Sequence, residues 1–357
     1  MTRVVWLAVS WARGHLMRAQ IMRRLLAQRG ISVDVVTTSR EGVEFLDAFG
    51  VPATQLGSAP RVRYDAGQNI RGLSTRAGIL RYLAFPGGCL ADLRALERLA
   101  RGAALVVNDS FHPALLAAPL VGSPLAGRIV NVYGQHLRRA VEEMCFGFFG
   151  EAFACALGRT LARVEHGLAT GISPDGALRL PAILEAPSRS AGVVREMLGA
   201  AHRPLAVVYL NPHFRSRGLA DVLDRTLRGC GFAVHAVGEG FAGRPGWLAR
   251  DPRLADAVAA ADLFVSAPGL GAIAQARTFG TPLLALVTDQ PEQRRNVELL
   301  PAGSEAVLLE APVLEDRLRD CALRLTQGAP TPRPDPRRCV RRVHARWAGT
   351  FTRLALS

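Results

Sequence analysis

Short apolar runs alternate with longer amphipathic segments along the whole chain, and this alternation restricts the fold more than any other feature. The runs at 4–10, 32–37 and 104–108 have the length of buried strands, and segments of helical periodicity lie at 15–29 and near 40–49. A strand followed by a crossover helix places the next strand parallel to the first, and helices then cover both faces of the sheet. The pattern predicts an α/β protein with doubly wound parallel sheets.

The alternation occurs twice. A stretch rich in Gly, Pro and Ser at 167–190 interrupts it, and the pattern then begins again. With 357 residues, the chain is long enough for two domains of ordinary size. We expect a first domain over 1–170, a linker over 171–190, a second domain over 191–330, and a linker with a C-terminal amphipathic helix over 331–357.

The composition excludes several classes of protein. The chain is 49% hydrophobic and 21% charged, which is typical of a folded protein. No apolar run reaches the roughly 18 residues that a transmembrane helix needs. The six cysteines form no CxxC pair and the histidines show no metal-ligand spacing, so we expect a reducing, cytoplasmic environment, no metal site and no bound cofactor.

The positive charge is unevenly distributed. All 44 basic residues are arginines, and the net charge is +14. Residues 1–190 hold 22 arginines against 14 acidic residues, residues 191–332 hold 15 against 15, and the last 25 residues hold 7 against 1. This distribution argues against a nucleic-acid-binding protein and is compatible with one face near phosphates or an anionic membrane. The basic C-terminal helix either packs across both domains or contacts anionic lipid.

The segment "SAPGLGAIAQARTFGTPLLAL" at 266–286 runs from a buried strand through a glycine turn into a helix. Ser266, Gly269 and Gly271 have little or no side chain, so backbone N–H groups at the helix N-terminus are able to approach a phosphate closely. The alternative is a tight turn that needs glycine only for a positive φ. Asp289 and Gln290 follow the next strand, where they either bind sugar hydroxyls or cap the following helix.

Residues 261–300, "ADLFVSAPGLGAIAQARTFGTPLLALVTDQPEQRRNVELL", resemble the donor-binding region of GT-B glycosyltransferases. The resemblance is strongest to the group that includes the peptidoglycan lipid-intermediate N-acetylglucosaminyltransferase and antibiotic or glycolipid glycosyltransferases. It implies two Rossmann-like domains facing across a cleft, with a C-terminal crossing helix. The first domain would bind the acceptor and the second the nucleotide sugar.

The same resemblance assigns roles to residues of the second domain. Ser266, Gly269 and Gly271 would contact the nucleotide diphosphate, and Asp289 and Gln290 the transferred sugar. Gln275 stands where the family usually has a glutamate that accepts hydrogen bonds from the ribose, and its amide oxygen accepts without the charge.

Further roles follow from two loops. His213, in "YLNPHFRSRG", would lie beside the donor. By the same resemblance, Gly14 in "SWARGHLMR" at 10–18 would lie near the phosphates or the acceptor, and His15 would be the general base. The alternative is that His15 only forms hydrogen bonds with its neighbours at the start of a helix. Arg18 would reach a phosphate or remain solvated. Asp109, in "VVNDSFHP", would orient His15 or cap the next helix.

The resemblance therefore implies a hexosyltransferase-type enzyme. It would transfer a sugar from a UDP- or dTDP-linked donor to a hydroxyl of a lipid or secondary-metabolite acceptor, with inversion and with no obligatory metal. We expect it in the cytoplasm, or peripherally at the inner face of the membrane, with no nucleic-acid partner. Two alternatives remain open: a nucleotide-sugar epimerase of similar fold, and a catalytically silent nucleotide-sugar-binding protein, for which Gln275 is the warning.

Overall fold

The computed structural model describes residues 2–57, 60, 63, 65, 71–84, 88–144, 148–309, 314–327 and 335–357. The chain divides into two compact units, the first made of Met1–Arg63, Arg71–Ile183 and Val343–Ser357, and the second mainly of Leu184–Arg342. Residues 171–183, in the predicted linker, belong to the first unit. Most of the linker predicted at the start of 331–357 lies outside the described residues.

The first unit is built on one eight-stranded sheet. Its strands are β1 (Arg3–Ala8), β2 (Ser32–Thr37), β3 (Ala53–Gln55), β4 (Leu105–Asp109), β5 (Ile129–Gly134), β6 (Ala162–Gly167), β7 (Gly171–Ile172) and β8 (Leu178–Pro181). They lie in the order β3-β2-β1-β4-β5-β6-β8-β7, and every neighbouring pair is parallel except β7 with β8. The order reverses direction between β1 and β4, which creates a topological switch point there.

Helices cover this sheet. They are α1 (Arg13–Ala27), α2 (Arg40–Asp47), α3 (Gly72–Ala84), α4 (Cys89–Leu99), α5 (Pro113–Ala117), α6 (Leu137–Met144) and α7 (Phe148–Gly158), with a 3-10 turn at Ala126–Arg128. Gly30, with φ of 72°, lies in the turn that leads from α1 into β2, as the sequence predicts.

The central strand β1 is completely buried from Val4 onward, and its side chains alternate between the two faces of the sheet. Val4 and Trp6 enter one hydrophobic cluster, packed against α1. Val5 and Leu7 enter a second cluster, packed against α4 and α5. A strand that is apolar on both faces fits only between two layers of helices, which explains the continuous apolar run in the sequence.

The last helix, α14 (Pro336–Leu356), completes the first of these clusters. Trp347 and Phe351 are fully buried and stack on each other, with ring centroids 5.8 Å apart. Phe351 also contacts Trp6, at 5.1 Å between centroids, and the indole N–H of Trp347 donates to the carbonyl of Pro181 at 2.7 Å. One face of this basic helix therefore belongs to the core of the first unit.

The second unit has a six-stranded sheet. Its strands are β9 (Leu205–Tyr209), β10 (Ala233–Val237), β11 (Trp247–Leu248), β12 (Leu263–Ser266), β13 (Leu283–Val287) and β14 (Glu305–Leu308), in the order β11-β10-β9-β12-β13-β14, all parallel. The helices are α8 (Ala191–Met197), α9 (Arg217–Gly229), α10 (Leu254–Ala260), α11 (Leu270–Phe279), α12 (Pro291–Asn296) and α13 (Leu314–Gln327), with 3-10 turns at Glu239–Phe241 and Val297–Leu299. Its switch point lies between β9 and β12. The prediction of two doubly wound α/β domains is confirmed.

Local differences from the sequence prediction concern short elements. The sequence at about 136–163 predicts one long helix; the structure has α6 and α7 there, with 145–147 outside the described residues, and the last two residues of this stretch belong to β6. Strands β7 and β8 occupy part of the stretch taken as a linker. Within the described part of the chain, no helix is both long enough and apolar enough to span a bilayer.

The packing of α14 gives a first prediction. We expect Trp347→Ala to reduce the free energy of unfolding of the first unit by about 3–5 kcal/mol, because it empties a fully buried volume and removes a hydrogen-bond donor. Urea unfolding followed by circular dichroism measures this. Leu356→Ala, at an exposed position of the same helix, is the matched control and should change stability little. Equal effects of the two variants would contradict the packing described here.

Candidate active site

The switch point of the first sheet brings together side chains that are far apart in sequence. Asp109 is the last residue of β4, and α1, which follows β1, carries His15 in its first turn and Arg18 one turn later. Because β1 and β4 are adjacent and parallel, their carboxyl ends meet at one edge of the sheet. Open α/β sheets bind their ligands at this edge.

Asp109 is fully buried and lies within hydrogen-bonding distance of three side chains. Its Oδ2 accepts from Arg18 Nε at 2.8 Å and from Trp6 Nε1 at 3.1 Å. Its Oδ1 accepts from Arg18 Nη2 at 2.7 Å and lies 2.8 Å from His15 Nδ1. The arginine thus binds the carboxylate with two parallel hydrogen bonds, the strong form of this ion pair.

These contacts keep Asp109 ionised. Burial by itself raises the pKa of a carboxyl group, but the charges of Arg18 and His15, and the hydrogen bonds from both, hold the pKa of Asp109 well below its usual range. A carboxylate of this kind fixes the orientation of the imidazole beside it. The structure therefore brings His15 and Asp109 together, as one of the two sequence interpretations expected.

Arg18 does not have the solvated position that was one of its two predicted environments. Its side chain is buried against Asp109 instead of solvated, and its Nη2 also lies 2.9 Å from His15 Nδ1. A neutral imidazole nitrogen either donates or accepts, so Nδ1 either donates to Asp109 or accepts from Arg18. In the first arrangement the lone pair is at Nε2, where it can take a proton; in the second, Nε2 carries hydrogen.

The loop after β4 is held in an uncommon conformation. Ser110 and Phe111 have φ of 80° and 60°, values rare for residues with side chains. The Phe111 ring stacks on Tyr133 at 4.8 Å between centroids, and Asn108 Oδ1 accepts from the backbone N–H of His112 at 2.7 Å. Such strain persists only where surrounding contacts enforce it, and here it follows the residue that holds His15.

Two further histidines lie near this site. His112 is fully buried, its Nδ1 accepts from the N–H of Ala114 at the start of α5, and burial lowers its pKa to about 3. It therefore acts as a neutral helix cap.

His166, at the end of β6, is also buried, and burial lowers its pKa well below the usual value. Among the described residues, neither of its ring nitrogens has a hydrogen-bond partner. The sequence analysis did not find His166, since no motif surrounds it.

In the second sheet, the glycine turn lies at the corresponding switch point. Gly269 is the N-cap residue of α11, with φ of −74°, and Gly271 does not have a positive φ either. A Cβ added to either residue would meet no atom within 4 Å. Neither backbone conformation nor packing within the chain requires glycine here, so the interpretation as a turn that needs a positive φ is wrong.

The N-terminus of α11 is also open to a ligand. No side chain caps it, and its first turn has no acidic residue. The N–H groups of the first turn have no partner within the helix, and they carry the positive end of the helix dipole. Asn296, at the end of α12, donates from Nδ2 to the carbonyl of Pro268 at 2.9 Å, and this hydrogen bond holds the glycine turn in place. Asn296 was not among the predicted site residues.

The remaining predicted residues lie at the same edge of the second sheet. His213 is in the loop after β9, Ser266 ends β12, and Asp289 and Gln290 follow β13. Gln275 is half-buried in the second turn of α11. Gln290, and not Asp289, is the N-cap residue of α12, and its side chain makes no capping hydrogen bond. The three strands are neighbours, so their carboxyl ends gather these residues. Among the described residues, no group of three or more His, Cys, Asp or Glu could hold a metal ion.

Comparison with known proteins identifies the fold. No protein-family model matches the sequence, and no curated protein is detectably similar to it. Solved structures match over almost the full length. They include LpCGTa in complex with UDP (15% identity, TM-score 0.64, 100% of both chains), the glycosyltransferase VinC in complex with dTDP (18%, 0.60, 99% of both) and the glycosyltransferase SnogD from Streptomyces nogalater (17%, 0.58, 99% of both). The chain has the GT-B fold. At this level of identity the similarity concerns the fold alone.

The buried Asp109 gives a prediction for acid stability. A carboxyl whose pKa is lower in the folded than in the unfolded state stabilises the fold above the unfolded pKa, about 3.9, and this contribution is lost as the pH falls below it. We expect the free energy of unfolding of the wild type to decrease between about pH 5 and pH 3 more than that of Asp109→Asn, which has no carboxyl group at this position.

Urea unfolding at a series of pH values measures the difference between the two proteins. Asp34→Asn, which removes a half-exposed carboxylate from the same sheet, is the control and should follow the wild type. Identical pH dependence of the wild type and Asp109→Asn would contradict the role given to this ion pair.

Proposed function

We propose that the protein is a glycosyltransferase that moves a sugar from a UDP- or dTDP-linked donor to a hydroxyl group of a lipid or secondary-metabolite acceptor. The observation that carries the proposal is the glycine turn at the start of α11, where no contact with another described residue explains the two glycines. Structures of the same fold that contain UDP and dTDP support this choice of donor. In this proposal the second domain binds the donor and the first binds the acceptor.

The donor contacts follow from the residues at the edge of the second sheet. Backbone N–H groups at Gly269 and Gly271, together with Ser266, bind the diphosphate. Gln275 accepts a hydrogen bond from the ribose through its amide oxygen, and Asp289 and Gln290 bind hydroxyls of the sugar. His213 and Gly14 lie near the donor or the acceptor.

His15 acts as the general base in the proposed reaction. Its Nε2 takes the proton of the acceptor hydroxyl, and the acceptor oxygen forms a bond with the anomeric carbon of the sugar. The bond from that carbon to the diphosphate oxygen breaks, and its electron pair leaves with the diphosphate, which the N–H groups of α11 stabilise. Asp109 accepts from Nδ1 of the resulting imidazolium. Direct displacement of this kind inverts the anomeric centre.

Arg18 acts through Asp109 in this mechanism and has no direct contact with a phosphate. Its two hydrogen bonds hold the Asp109 carboxylate in the orientation in which it contacts His15. The contact between Arg18 Nη2 and His15 Nδ1 also favours a second candidate function, a nucleotide-sugar-binding protein without turnover. If Nδ1 accepts from Arg18, the proton is on Nε2 and the base is blocked. Gln275 in place of the usual glutamate also favours a nucleotide-sugar-binding protein without turnover.

The charge distribution supports a location for the reaction. The arginine excess in residues 1–190 and in the last 25 residues favours an acceptor that carries phosphate or lies at an anionic surface. We propose a cytoplasmic protein that associates peripherally with the inner face of the membrane. Activity on such an acceptor should then decrease with increasing salt.

Gly271→Leu tests the donor site. We expect the affinity for UDP or dTDP to fall about tenfold or more, because the added side chain stands where the diphosphate approaches the backbone. Stability should not fall, since a Cβ there meets no atom within 4 Å and leucine favours a helix over glycine by about 0.8–1.0 kcal/mol. Isothermal titration and thermal melting measure both. Gly192→Leu, at an equally open position in α8, should bind nucleotide like the wild type. An unchanged affinity in Gly271→Leu would contradict the assignment.

His15→Ala tests catalysis. Incubation with UDP- and dTDP-sugars and a panel of hydroxylated acceptors should give a glycosylated product with the wild type. The variant should lose about 10²–10⁴-fold in kcat while binding nucleotide normally. His202→Ala, an exposed histidine in the second unit, is the control and should keep full activity. Nucleotide binding without product, in the wild type and both variants, would favour the silent binding protein.

A further inference from the structure

The first unit contains an open cavity away from the residues assigned to catalysis. It has a volume of about 430 Å³ and lies between the β7–β8 hairpin and the outer face of α14. Its polar lining comes from Thr170, Arg179, Arg346, Thr350 and Arg353. The proposed reaction uses none of these residues.

The lining is strongly positive. Three of the residues around the cavity are arginines, and none is acidic. Arg179 pairs through Nε with Glu165 Oε1 at 2.8 Å, which leaves its terminal nitrogens available. Arg346 and Arg353 are exposed, and their guanidinium groups form no hydrogen bond or ion pair within the described part of the chain. Glu165 compensates the charge of Arg179 only, and an anion placed among the other guanidinium groups would offset the repulsion between them.

A fourth arginine and one glycine extend this arrangement. The position of a Cβ on Gly349 would be 3.7 Å from Arg353 Nη1 and 3.9 Å from Arg29 Nη1. Arg29, just beyond the end of α1, also donates to Thr352 Oγ1 at 3.4 Å. Two guanidinium groups, one from α14 and one from the turn after α1, therefore converge on the one residue of α14 that lacks a side chain. Gly349 lies inside the helix, where glycine is unfavourable, so the open space has a cost in stability.

The chemistry of the cavity matches a phosphate group. Arginine forks and threonine hydroxyls donate to the several acceptor oxygens of a phosphate, and Arg is the side chain best suited to such bidentate contacts. Leu178, Leu180 and Ala345 add an apolar wall for whatever the phosphate is attached to. Ile172 and Leu356 lie close in sequence to residues that line the cavity, and both are among the most exposed large apolar side chains.

We propose that this cavity, here called the arginine cradle, is a binding site for a phosphate group carried by a lipid headgroup or by a free phosphate compound. It is lined by Arg179, Arg346, Gly349 and Arg353, and Arg29 lies beside Gly349. The site goes beyond the proposed glycosyl transfer, since it involves neither the donor turn nor His15. Binding to it is measurable without donor or acceptor, so failure here leaves the proposed function untouched.

Titration with inorganic phosphate tests the cradle directly. At constant ionic strength set with chloride, we expect saturable one-site binding by the wild-type protein. Gly349→Leu keeps every charge but fills the space between the guanidinium groups, and should weaken binding about tenfold or more. Arg346→Gln/Arg353→Gln should do the same. The control Arg94→Gln/Arg98→Gln removes two exposed charges from α4 and should bind phosphate like the wild type. Thermal melting verifies that each variant is folded.

Vesicles distinguish the two sources of the phosphate. If the wild type sediments with phosphatidylcholine vesicles that contain phosphatidylglycerol, and Gly349→Leu does not, the ligand is a lipid headgroup. Phosphate binding without sedimentation in either protein assigns the cradle to a free phosphate compound. The proposal is overturned if the wild type shows no saturable phosphate binding, or if Gly349→Leu and the α4 control bind phosphate equally well.

Discussion

The buried carboxylate of Asp109 is the interaction on which the first unit's site depends. A charge without solvent must be compensated by partners, and removing one partner of a buried ion pair typically costs about 3–5 kcal/mol. Here the partners come from β1, through Trp6, and from α1, through Arg18 and His15. The carboxylate therefore links β4 to β1 and α1 across the switch point, and the same contacts that compensate its charge also fix the orientation of the imidazole.

The C-terminal helix is connected to this carboxylate by aromatic packing. Phe351 contacts Trp6, whose indole N–H donates to Asp109. The inner face of α14 thus supports the proposed catalytic group, and its outer face forms part of the arginine cradle. A ligand in the cradle would act on a helix that is already part of the first unit's core. The inner face of α14 thus has a structural role, and the proposed phosphate site would give its outer face a binding role.

Much of the fold could be predicted from the sequence, because strands buried on both faces produce continuous apolar runs. The strands β3, β7, β8 and β11, of two to four residues, and β6, of six, were not predicted; Gly171–Ile172 is too short to show any periodicity. The glycine turn at the start of α11 was predicted because glycine on both sides of a helix start is a local signal. The spacing of His15 and Arg18, one turn apart on α1, was also visible in the sequence. Their shared partner Asp109 is 91 residues beyond Arg18, and the contact between these two residues depends on the order of the strands in the sheet. His166 and Asn296 are defined by tertiary contacts alone.

The glycine turn of the second unit is the central element of the account, and a crystal structure of the protein with UDP or dTDP tests it most directly. We predict density for the diphosphate within hydrogen-bonding distance of the backbone N–H groups at the start of α11, between Gly269 and Gly271. A fully occupied nucleotide bound elsewhere, with the start of α11 unoccupied, would contradict the account.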